Sequence, residues 1–66
     1  MSLGLTIKMA RKNNALSQSE LAHRCGVKTI TVCFWETDRL VPKLSNIRKL
    51  ARVLHISVHD LTSFLK

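Results

Sequence analysis

The sequence predicts an all-α fold, a compact bundle of five short helices around one core. Three observations carry that expectation. Apolar residues recur three and four positions apart in five separate segments, the period of a helix with one buried face. The alternation of a half-buried strand occurs nowhere in the chain. Helix boundaries are marked between those segments: Ser17 and Ser57 as caps, Gly26 as a left-handed stop, and Pro42, the one proline, as a break.

The first helix is expected over residues 3–13, with Leu3, Ile7 and Ala10 on one stripe and Lys8 and Lys12 beside it. Met1 and Ser2 are given no weight. Asn13, Asn14 and Ala15 form the exit, and Leu16 is a buried residue ahead of the next cap. Ser17 with Glu20 makes an S-x-x-E capping box, in which the hydroxyl accepts from the Glu20 amide and the carboxylate accepts from the serine amide. Leu21, Ala22 and Cys25 line the inner face of this second helix, and the small Ala22 lets a neighbouring helix cross closely. Gly26 ends the helix and Val27 is the buried residue of the turn. A third helix begins near Lys28 with Val32 and Trp35 inward. Asp38 follows it where a left-handed residue is wanted, and Asp tolerates that better than most. A loop runs from Arg39 to Lys43. The fourth helix spans about residues 45–54, with Ile47, Leu50, Ala51 and Leu54 inward and Arg48, Lys49 and Arg52 in solvent. His55 and Ile56 lead to Ser57, which caps a fifth helix carrying Val58, Leu61 and Leu65; Asp60 repeats the capping-box spacing.

Sixty-six residues allow one domain, taken as 1–66. Eleven Lys and Arg against four acids give a net charge of +7 and a pI near 10.3. Most of the acids have structural duties, so the balance favours a polyanion: nucleic acid first, an anionic membrane second, with plain solubility as the alternative. No apolar run is long enough to span a bilayer, and Lys8, Arg11 and Lys12 interrupt any signal-peptide core. Cys25 faces the core and Cys33 the outside, so no disulfide is expected and a reducing, cytoplasmic compartment fits. His23 with the two cysteines matches no zinc pattern, and no metal, cofactor or small-molecule ligand is expected. An enzyme is a poor reading, since three scattered histidines and four occupied acids offer no nucleophile–base pair.

Two short helices joined by a tight glycine turn, residues 18–36, carry the helix-turn-helix signature. Around that motif stand Leu16-Ser17-Gln18-Ser19-Glu20-Leu21-Ala22, Gly26-Val27, Trp35-Glu36, Pro42, Ile47-Arg48-Lys49-Leu50-Ala51 and Ile56-Ser57-Val58-His59-Asp60-Leu61. In that order and spacing, they resemble the Cro/phage-repressor helix-turn-helix family over nearly the whole chain, Leu3 to Leu61. The resemblance implies a five-helix bundle and a transcriptional regulator, most often a repressor, that binds operator DNA as a homodimer in the nucleoid. It departs at Asp38 and His55, where relatives often have Gly, and at the recognition helix.

The resemblance also implies that the first turn of the third helix, and the residue one turn later, enter the major groove. Thr29, Ile30, Thr31 and Phe34 are therefore the expected base contacts. Ile30 and Phe34 share a helix face and can touch thymine methyl groups, while the threonines can hydrogen-bond base edges or phosphate. Phe34 could instead fold into the core, or form with Ile30 a patch for a protein partner, as an antitoxin-like module would. Ser17, Gln18, Lys28, Arg39 and Lys43 are expected at phosphates, the first two because a helix start offers free amides and a positive dipole end. In the family a basic residue at Arg11 pairs with the glutamate at Glu36, which implies an ion pair tying the first helix to the recognition helix. Leu61, Phe64 and Leu65 either form a two-fold dimer interface or close the monomer core.

Overall fold

A computed structural model describes residues 2–64. It contains five helices: α1 (Leu3–Asn13), α2 (Gln18–Cys25), α3 (Thr29–Glu36), α4 (Leu44–Leu54) and α5 (Val58–Thr62). The described residues include no strand, and no described helix is long and apolar enough to cross a membrane.

Local chemistry sets most boundaries. The Ser17 hydroxyl accepts from the Glu20 amide at 3.0 Å while the Glu20 carboxylate accepts from the Ser17 amide at 2.9 Å, closing the expected box. At Ser57 only half of the second box forms, the Asp60 amide donating to the hydroxyl at 3.0 Å. Ser2, which the sequence reading left idle, caps α1 by accepting from the Leu5 amide at 3.1 Å. Gly26 ends α2 at φ 70°, and the Val27 amide donates back to Ala22 at 2.9 Å, the long bond of a Schellman turn. Asp38 (φ 60°) and His55 (φ 58°) adopt the same conformation without being glycine, and Ala15 joins them at φ 55°. Each costs about 1 kcal/mol or more relative to glycine.

The core is one cluster. Ile7, Leu21, Val32, Trp35, Ile47, Leu50, Leu54 and Leu61 are sealed from solvent, with Leu3, Ala10, Leu16, Ala22, Cys25 and Ala51 around them. α3 packs against α2 and α1, while α4 packs against α2, α5 and α1. The Asn14 amide ties two helix ends together, donating to the carbonyls of Ala10 (2.8 Å) and Leu54 (3.0 Å).

Gly4 marks the closest approach between elements. A Cβ built there would lie 2.6 Å from the carbonyl oxygens of both Trp35 and Glu36, so the start of α1 sits directly on the end of α3. The Asp38 carboxylate completes the junction by accepting from the Gly4 amide at 2.9 Å. The positive end of one helix thus meets the negative end of another, with an anion between them. Asp38 therefore has a second task beyond its left-handed turn. The Ser2 hydroxyl, and after it the Gly4 amide, hold its carboxyl below the ordinary range.

One expectation is corrected here. Leu61 is fully buried within the bundle, where α5 lies on α4, so its side chain cannot meet a second copy. The Ser57 cap sets the phase of α5, and a five-residue helix has only one inward position to fill. Phe64, two residues past that helix, remains 40% exposed, and Leu65 lies outside the described residues.

Candidate nucleic-acid interface

The α2–α3 pair is held as one unit by Ala22, Cys25, Val32 and Trp35, all buried. With Val32 and Trp35 committed inward, helical geometry turns Thr29 and Ile30 outward; both are exposed, Ile30 to 53%. Thr31, Cys33 and Phe34 are half-buried on the flanks of that face. Phe34 is thus neither a core residue nor a free one. Cys33 stands one turn after Thr29 and is half-buried beside the outward face, on the outer side of the helix as expected, though it is not among the expected base contacts.

Exposed cationic side chains stand at the starts of α3 and α4. Lys28 and Lys43 occupy the cap positions of α3 and α4, and both are exposed. Neither helix start has a side-chain capping bond, unlike the serine-capped α1, α2 and α5. Their first amides are left for another acceptor, beside a lysine. Arg39 is exposed in the loop between them, and its amide closes the end of α3 by donating to Phe34 at 2.9 Å. Ser17 is exposed at the start of α2. Lys49 is not merely solvated as expected, since its ammonium reaches the Cys25 carbonyl at 3.4 Å and caps the end of α2.

Behind the interface lies a buried ionic junction. Arg11 Nε donates to Glu36 Oε2 at 2.6 Å and Nη2 to Oε1 at 3.0 Å, a bidentate fork. Its Nη1 donates to the Leu16 carbonyl at 2.9 Å. Glu36 raises the Arg11 pKa further, chiefly through this hydrogen bonding. Gln18 enters the same junction, its Nε2 donating to Glu36 Oε1 at 3.0 Å. The sequence alone assigns Gln18 only to phosphate; in the structure one of its two amide protons is committed to α3. Spacing alone could not reveal this, because Gln18 and Glu36 meet only once α2 and α3 are docked.

Both cysteines are free thiols; burial pushes the Cys25 thiol up from its ordinary range. Among the described residues no group of three His, Cys, Asp or Glu side chains could hold a metal ion.

Known proteins match this arrangement. A family model for the helix-turn-helix matches residues 7–61. An uncharacterized HTH-type transcriptional regulator of Archaeoglobus fulgidus is 36% identical over 58 residues, covering 88% of this chain and 82% of that protein. The P22 c2 repressor protein, solved with a synthetic operator, superposes with a TM-score of 0.89 at 26% identity, over 92% of each chain. SinR, a master regulator for biofilm formation solved in complex with DNA, superposes with a TM-score of 0.82 at 35% identity, over 89% of this chain and 95% of that one. The chain belongs to the helix-turn-helix family of the Cro and phage-repressor type, a family of DNA-binding transcription regulators and not of enzymes.

Proposed function

We propose that this protein, with residues 1–66 as its DNA-binding domain, is a sequence-specific regulator that seats α3 in the major groove of a near-palindromic operator and represses transcription by occupying it. The observation that carries the reading is the outward face of α3, together with the starts of α3 and α4, each with an exposed lysine at the cap position and no side-chain cap. Thr29, Ile30, Thr31 and Phe34 read the bases, with the apolar pair favouring thymine methyl groups. Ser17, Gln18, Lys28, Arg39 and Lys43 hold phosphates on either side of the groove. Two copies meet just past α5, at the exposed Phe64, placing the recognition helices about 34 Å apart, one turn of duplex. The protein works in the cytoplasm, on the nucleoid.

Selection of bound sequences from random duplex DNA tests this at about 0.15 M salt. An inverted repeat with half-sites near one helical turn apart is the expected product. Phe34→Ala should then lower affinity for that site more than for random DNA. Recovery of no motif, with binding that collapses as salt rises, would refute base reading and move the Ile30/Phe34 face to a protein partner.

A further inference from the structure

We infer that Glu36 is a positioning residue for DNA binding: it fixes the Gln18 amide so that this side chain meets the backbone phosphate as a hydrogen-bond donor. The inference rests on the reading of Gln18 as a phosphate contact.

An amide can present either its carbonyl or its NH₂, and nothing in an isolated glutamine favours one. Gln18, at the first position of α2, has that choice removed. Glu36 Oε1 lies 3.0 Å from its Nε2, and an ionised carboxylate only accepts. The nitrogen must therefore face Glu36, and the flipped amide would set two acceptor oxygens against each other. One proton of Nε2 is spent on Glu36; the other remains, and Gln18 is only half-buried.

A phosphate oxygen is also purely an acceptor, so the fixed orientation is the one it can use. The charge on Glu36 does not repel that phosphate, because Arg11 neutralises it through two hydrogen bonds at 2.6 and 3.0 Å. Glu36 itself is held tightly, its side chain only 2% exposed. One carboxylate thus aims a donor on α2, ends the recognition helix α3 and grips α1. The groove-reading and backbone-holding parts of the interface share a single rigid joint.

The test is a double-mutant cycle on a fixed mixed-sequence duplex at low salt, because phosphate contacts act on any sequence. Gln18→Met keeps the length of the side chain and removes the donor. The Arg11→Met/Glu36→Met pair removes the joint without leaving a buried charge unpartnered. Circular dichroism verifies that each variant is folded. Gln18→Met should weaken binding roughly tenfold in the native background, the size of one hydrogen bond to a charged group. It should cost clearly less in the double variant, where the freed amide presents its carbonyl as readily as its NH₂. The same fold loss in both backgrounds would leave the phosphate contact standing and overturn the role of Glu36. No loss in the native background would overturn the phosphate contact and the inference with it. A second measurement needs no variant: side-chain amide relaxation of Gln18 in the free native protein. Order near that of rigid backbone, about 0.85, is expected. An amide as mobile as a solvent-exposed one would overturn the inference even if the double variant does not fold.

Discussion

Replacing Gly4 by alanine sets two physical effects of opposite sign against each other. Gly4 lies within α1, and alanine is the better helix former by up to about 1 kcal/mol. Propensity alone therefore makes Gly4→Ala stabilising. Space says otherwise. The added methyl would stand 2.6 Å from two backbone carbonyl oxygens and 2.8 Å from the Glu36 carbonyl carbon, whereas ordinary contact begins at 3.4 Å. The junction must open by about 0.8 Å, and the three nearest atoms are all backbone, which does not yield as a side chain would. Opening it also stretches the 2.9 Å bond from the Gly4 amide to Asp38. Overpacking of this kind costs about 1–3 kcal/mol. The upper part of that range applies, because both obstacles are backbone, leaving a net loss of about 1–2 kcal/mol. For a domain of this size each kcal/mol moves the midpoint by about 4–8 °C, so Tm should fall by roughly 5–15 °C. Thermal melts followed by circular dichroism, with urea titrations to verify an unchanged m-value, measure this directly. A variant that melts at or above the native temperature would refute the packing argument.

Other expectations follow from the same contacts. Glu36→Ala leaves Arg11 charged and buried without its partner, and urea titration should show a loss of about 3–5 kcal/mol. Asp38 has a depressed pKa in the folded state, so its contribution is fully present above the ordinary value of 3.8 and fades as pH falls through the lower folded value. Melting temperature should accordingly drop on acidification below about pH 4, with a smaller drop in Asp38→Asn; identical pH profiles would remove Asp38 from the junction. Lys28→Ala should weaken specific and random duplexes alike and reduce the salt slope by about 1. A slope unchanged from native, read by fluorescence anisotropy across a salt series, would place Lys28 away from phosphate.

Much of the molecule is written in local signals. The Ser17–Glu20 box, the left-handed stop at Gly26, the inward pair Val32 and Trp35 and the stripe Ile47, Leu50, Ala51 and Leu54 depend on residues within a turn or two of each other. Short-range hydrogen bonding and helical period suffice to read them. Where these helices dock is a different matter, and there the reading was incomplete. Leu61 offered the same apolar side chain to a core or to a second copy, and only the packing of α5 on α4 chose the core. The pairing of Arg11 with Glu36 came from family resemblance, since their 25-residue separation carries no local signal.

The sequence by itself determined the helices, their order, their inner faces and the basic balance that favours DNA. Only the tertiary structure decided that Gly4 must lack a side chain, that Asp38 caps a helix 34 residues away and that the Gln18 amide donates to Glu36. The physical reason is common to all three. Each is a contact between helix ends, where two backbones meet within hydrogen-bonding distance, and the meeting point follows from the summed packing of the whole core rather than from any stretch of chain.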